Sequence, residues 1–227
     1  MNTGRQSPDR QLTFTEQARR AQLVDVTIRV IAEYGYAGCS LQRIAEAAGI
    51  TKAAVIYHFA TKRAVIRAAY DTVIAGLTEH VGALITKATT PAGQVDAYVR
   101  GLIGYMGANP DHVRVIVEAL DDDHDTGIAD RPHSPERWRP LADLINAAKS
   151  AKAYRQDLDA RITAIMLGGA IDAVVAEFLT DRSFDTGTAA DAVVDMLHRT
   201  ALQGDPSMAA RGITAWDAAP PGPAHRP

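Results

Sequence analysis

A chain of 227 residues, 47% of them hydrophobic, is long enough to bury one large core or two small ones. An aromatic content of 6% and plentiful alanine favour helices over sheets, and a single cysteine, Cys39, excludes an intramolecular disulfide and fits a reducing cytoplasm. The net charge of −3 is unevenly spread: residues 1–90 carry 11 Lys and Arg against 7 Asp and Glu (+4), and residues 91–227 carry 13 against 20 (−7). A basic N-terminal portion on an acidic body concentrates attraction for phosphate at one end.

Residues 1–14 are polar, contain Pro8 and lack periodicity, which predicts a mobile arm. Arg5 and Arg10 within it suit either a minor groove or bulk solvent. A helix follows from about Thr15 to Tyr34, with Ala18, Ala21, Ile28 and Ile31 on one face and Gly35 at its end. Arg19 and Arg20 near its start suit a phosphate or a solvated face equally. Cys39 reads as a small packing residue.

The stretch Ser40–Lys62 carries the most information. Ser40 is placed to cap a short helix whose apolar face holds Leu41, Ile44, Ala45 and Ala48, and Gly49 ends it. Thr51 then caps a second short helix, with Val55, Ile56 and Phe59 expected to face the body. Two short helices joined by a glycine turn form a helix-turn-helix, whose second helix can enter the DNA major groove. The candidate DNA-binding residues are Ser40, Thr51, Lys52, Ala53, Ala54, Tyr57, His58 and Lys62. Ala53 and Ala54 allow close approach and offer methyls to thymine, while Lys52, Tyr57, His58 and Lys62 supply donors for phosphates.

The pattern Gly35-Tyr36, Ser40-Leu41, Ile44-Ala45, Ala47-Ala48-Gly49-Ile50-Thr51-Lys52, Tyr57-His58-Phe59 and Thr61-Lys62 resembles the DNA-binding domain of the TetR (tetracycline repressor) family over about residues 17–65. The resemblance implies an all-helical fold, with a three-helix N-terminal domain and a larger C-terminal domain that dimerises and usually binds a small-molecule inducer. Two positions depart from the family pattern. Ile56 stands where a tyrosine is usual, and Cys39 replaces the usual threonine before Ser40.

Thr61 is placed to cap a long helix to about Thr86, striped by Ile66, Ala69, Val73, Leu77, Val81 and Leu84. This helix is the expected link between the two halves of the chain. Helices are predicted over Ala92–Ala108, over Asp111–Leu120 after Pro110, and from Trp138 to about Tyr154. The intervening segment, Asp121 to Arg137, reads as a solvated acidic loop, since consecutive carboxylates cannot converge on one ion. Asp157 or Asp159 is placed to cap a strongly apolar helix over about 158–180, and Thr188 to cap a last helix through Ala201. Gly168-Gly169 in mid-helix suggests close approach by a second helix. These two helices are the expected dimer interface, with Ile162, Ile165, Gly169, Ala173, Val193, Val194 and Leu197 at the contact. Residues 203–227, rich in Gly, Ala and Pro, read as a disordered tail.

The fold class expected is therefore all-α: a helix-turn-helix domain over 15–60 and a helical ligand-binding and dimerisation domain over 61–202. Tyr98, Tyr105, Met106, Trp138 and Met166 are the candidate ligand-pocket residues, being large, adaptable or amphipathic. No Gly-rich phosphate loop, metal-ligand spacing or nucleophile motif is visible, so no enzyme, cofactor or metal is expected. Asp172 and Glu177 interrupt the most apolar segment, which argues against a membrane span. The function implied is a cytoplasmic, homodimeric transcriptional regulator, most simply a repressor that binds an inverted-repeat operator in double-stranded DNA and is released by a small molecule. The alternative is a helical protein-interaction module without specific DNA binding.

Overall fold

A computed structural model describes residues 13–120 and 137–202. Arg5 and Arg10, the acidic loop and the tail lie outside the described residues. Among those described, the elements are α1 (Phe14–Gly38), α2 (Leu41–Ala48), α3 (Lys52–His58), α4 (Lys62–Lys87), α5 (Pro91–Ala108), α6 (Pro110–Leu120), α7 (Arg139–Ser150), α8 (Ala160–Thr180) and α9 (Thr186–Ala201). The all-α architecture is as expected from the sequence.

Side-chain caps set most of the helix starts. Thr13 and Glu16 form a reciprocal capping box that opens α1. Ser40, Thr51, Thr61 and Thr90 each accept from the backbone N–H three residues on, opening α2, α3, α4 and α5. Asp159, not Asp157, caps α8 by accepting from Ile162 at 2.9 Å, because Asp157 is held by Arg155. At α9 the cap is Asp185, which accepts from both Gly187 and Thr188; Thr188 lies inside the helix rather than before it.

Gly35 breaks α1 where the sequence placed the end of the helix. It adopts φ +68° and ψ 177°, a conformation only glycine takes readily, and the helix resumes as far as Gly38. The kink is anchored from outside, since the Tyr36 N–H donates to the Glu118 carboxylate of α6 at 2.9 Å.

Two hydrophobic cores result. The first joins α1 to α4 around Leu23, Ile31, Ile44, Val55, Phe59 and Ile66, and takes in Val115 and Ala119 of α6. The second joins α5, α7, α8 and α9 around Ile103, Leu141, Ile145, Leu167, Ile171 and Leu197, and takes in Val113 of α6. Helix α6 thus contributes to both, a role the sequence reading gave to α4 alone.

Helix α8 is long and apolar enough to cross a membrane. Its inward side, however, with Ala164, Leu167, Ile171 and Val175, packs into the second core. Its two central glycines meet different surroundings. A Cβ at Gly168 would fall within 2.4–2.7 Å of the Trp138 ring, so the glycine is needed for that indole to lie flat against the helix. Gly169 faces outward with open space around it. The close neighbour at Gly168 is therefore a side chain from the start of α7, not a second helix.

Candidate nucleic-acid interface and ligand chamber

Helices α2 and α3 form the helix-turn-helix, with Gly49 at φ +66° between them. Val55 and Phe59 fix the inner side of α3 in the first core. Thr51, Lys52 and Ala53 are exposed at its N-terminus, Ala54 and His58 are half-buried, and Tyr57 is 67% exposed. Ile56 was expected to face the body. It is 45% exposed, beside Tyr57, so the position where the family usually has tyrosine lies on the outer side of the helix.

Three cations of this domain bond to main-chain carbonyls. Arg20 donates to the His58 carbonyl and stacks over Phe59, 4.0 Å from the ring centre. Arg43 donates to the Gly38 carbonyl and lies over Tyr34. The Lys62 amine donates to the Tyr36 carbonyl at 2.7 Å and sits 4.3 Å over the Tyr36 ring. These three satisfy carbonyls at chain breaks and brace the domain. Lys52, in contrast, makes no side-chain bond among the described residues and stands at the N-terminal end of the recognition helix, where backbone N–H groups also favour an anion.

The Tyr57 hydroxyl donates to Glu16 at 2.9 Å, tying α3 to the start of α1, and its ring meets His58 edge-on. Neither the Tyr57–Glu16 bond nor the role of Arg20 could be read from sequence spacing, since the partners lie 41 and 38 residues apart.

A cavity of about 720 Å³ lies among α4, α5, α6, α7 and α8. Tyr98, Met106 and Trp138 line it, as proposed from the sequence. Tyr105 does not: its hydroxyl meets His112 Nδ1 at 2.8 Å, bridging α5 and α6, and its ring lies 5.5 Å from that of His80 on α4. Met166 does not either, being 65% exposed on the outer side of α8. A helix apolar on nearly all sides gives no sequence signal for which side is inward. Tyr70, Ile74, Leu77, Val113 and Ile116 also line the chamber, and the helical spacing of the first three was the available clue. At its rim Arg137 forms a bidentate pair with Asp172, at 2.7 and 3.1 Å, and lies over the Trp138 ring. Among the described residues no group of three or more metal-ligating side chains is gathered.

The predicted dimer residues separate into two sets. Ile162, Ile165, Gly169 and Ala173 form an exposed apolar face on α8, joined by Met166. Val193, Val194 and Leu197 are buried in the second core of the same chain and are not available to a partner. On α9 it is Met196, 45% exposed, that faces outward.

Residues 23–69 match the family model described as bacterial regulatory proteins, tetR family. The chain is 28% identical over 170 residues to the HTH-type transcriptional repressor Rv1474c of Mycobacterium tuberculosis, covering 70% of this chain and 81% of that one. Among solved structures it resembles the fatty acid degradation regulator FadR of Bacillus halodurans (TM-score 0.68, 21% identity, 78% of this chain and 96% of that chain). It also resembles the transcriptional regulator FadR of Bacillus subtilis in complex with stearoyl-CoA (TM-score 0.67, 18% identity, 78% and 96%). With α3 presented as described and the helical body behind it, the chain carries over residues 23–69 the N-terminal helix-turn-helix domain of the tetR family of bacterial regulatory proteins.

Proposed function

We propose that the protein is a cytoplasmic homodimeric repressor that occludes a promoter and is released by a small molecule held in the α4–α8 chamber. The observation that carries this reading is the position of α6, which lines the chamber through Val113, Ile116 and Val117 and grips the DNA-reading domain through Glu118. Two recognition helices, one per protomer, enter successive major grooves about 34–36 Å apart and read an inverted repeat. Thr51, Lys52, Ala53 and Tyr57 meet the DNA, with Ser40, Ala54, His58 and Lys62 supporting the contact. The α8 face with Ile162, Ile165, Met166, Gly169 and Ala173 packs against its symmetry mate. The effector acts only by differential affinity: it must prefer the spacing of reading heads that does not fit DNA. A repressor relative and a structural neighbour holding stearoyl-CoA support both halves of the reading.

Selection of bound fragments from the host's own genome tests it. An inverted repeat is expected among the recovered sites, with affinity falling steeply as salt rises. Absence of any fragment preference at low salt would sink the regulator reading and favour a helical protein-interaction module.

A further inference from the structure

We infer that the chamber takes an uncharged, largely apolar molecule bearing one carbonyl- or hydroxyl-type acceptor for the Tyr98 hydroxyl, and discriminates against effectors that are ionised where they are buried. The inference rests on the reading of this cavity as the effector site.

Size and lining come first. A volume of about 720 Å³ falls within the roughly 300–1,000 Å³ of sites that enclose drug-sized molecules. The walls are aliphatic and aromatic, with Ile74, Leu102, Met106, Ile116, Val175 and Leu179 facing the space. Such walls reward apolar surface and offer no replacement for the hydration shell of an ion.

The charges at the rim cancel. Among the described residues, Arg137 and Asp172 are the lining residues with formal charge, and they share two hydrogen bonds, at 2.7 and 3.1 Å. The Trp138 ring supports the guanidinium from one face. A carboxylate entering the chamber would meet a guanidinium whose charge Asp172 already balances and could use only its remaining N–H groups. A cation would meet a carboxylate already balanced by Arg137. Neither ion finds an uncompensated charge, so the rim gives little net attraction to an ion of either sign. A polyanionic headgroup fares worse, meeting a single guanidinium that is already matched.

The Tyr98 hydroxyl has no hydrogen-bonding partner among the described residues, although the side chain is half-buried in the wall. Burial pushes its phenol up, with Arg137 opposing, so the group remains a neutral donor. Because the Tyr98 side chain lines the chamber, an acceptor carried by the occupant can take up this donor.

The test is a series of probes sharing one alkyl chain: decanol, methyl decanoate, decanoate, decyltrimethylammonium and decanoyl-CoA. The full-length Trp216→Phe variant leaves Trp138, in the chamber wall, as the only tryptophan. Titration of its emission should show decanol and methyl decanoate binding at least tenfold more tightly than the three charged probes. Tyr98→Phe should weaken the neutral probes by about three- to tenfold, the loss of one hydrogen bond, and Leu102→Phe, which narrows the chamber without adding an indole, should weaken them at least as much. A charged probe binding as tightly as decanol would overturn the charge assignment and leave the effector site standing. Neutral binding unaffected by Leu102→Phe would overturn the assignment to this chamber, and binding unaffected by Tyr98→Phe would overturn the assignment of its polar contact. No emission change with any probe, in protein that still selects its operator, would overturn the inference together with the effector reading.

Discussion

The Glu118 carboxylate accepts a hydrogen bond from the Tyr36 N–H at 2.9 Å, across the junction between α6 and the kinked end of α1. The same carboxylate pairs with Arg114 one turn earlier, at 3.2 Å. Tyr36 in turn offers its carbonyl to Lys62, so α1, α4 and α6 meet at one residue. Glu118→Ala leaves the kinked backbone short of an acceptor. It should lower unfolding free energy by about 1–3 kcal/mol and weaken the influence of effector on DNA affinity. Glu118→Gln, which keeps an acceptor, should recover most of the loss. Denaturant titration and operator binding with and without effector check this; an alanine variant matching the parent in both would remove Glu118 from the coupling path.

Lys52 and Lys62 should behave differently despite lying near the same surface. Lys52→Ala should weaken binding to all sequences alike and make the salt dependence shallower by about one unit of log–log slope, as for one lost phosphate contact. Lys62→Ala should also weaken all sequences alike, and in addition destabilise the fold, because its amine holds the Tyr36 carbonyl. Operator titrations across a salt series, paired with thermal melts, separate the two. Altered base preference at unchanged affinity for either variant would contradict its phosphate role.

On the outer side of α8, Ile165 is 49% exposed in the single chain, so a charge there leaves the protomer's own packing intact. Ile165→Glu should yield folded monomer at concentrations where the parent is dimeric, with operator affinity reduced more than tenfold as the paired reading heads are lost. Val194→Glu, by contrast, places a carboxylate in the core and should prevent folding. Sedimentation velocity with circular dichroism distinguishes these outcomes; a dimeric Ile165→Glu variant would move the interface elsewhere.

Cys39 is buried in the first core, and desolvation pushes its thiol up to about 11, with Lys62 and Arg43 opposing. An unfolded-chain thiol titrates near about 8.5, so the folded state holds this proton more tightly. The resulting stabilisation is complete below the unfolded value and is lost as pH rises through the folded one. Iodoacetamide at about pH 8 should therefore label native protein slowly and urea-unfolded protein quickly. Between about pH 8.5 and 11 the parent should lose more stability than Cys39→Ala does. Rapid labelling of the native thiol would show that the site is open.

How much was legible depended on whether the determining contact was local. The caps at Ser40, Thr51 and Thr61 and the turn at Gly49 involve neighbours within a few residues, and all were readable. The apolar stripes were readable as stripes but not as to what covers them. Val194 and Ile165 occupy similar stripes, yet one faces its own chain and the other faces out. Met166 and Ile56 failed for the same reason: on a short or uniformly apolar helix, spacing does not say which side is inward. Tyr105 and Lys62 were recognisable as polar groups needing partners, but His112 and the Tyr36 carbonyl become their partners only once three helices meet.

Gly168 and Gly169 make α8 unusually thin at one level. The Trp138 indole rests against bare main chain at Gly168, and about a quarter-turn round the helix Gly169 leaves the surface equally bare. A side chain at Gly168 would push the indole, and with it part of the chamber wall, off the helix, whereas Gly169 has room to take one freely.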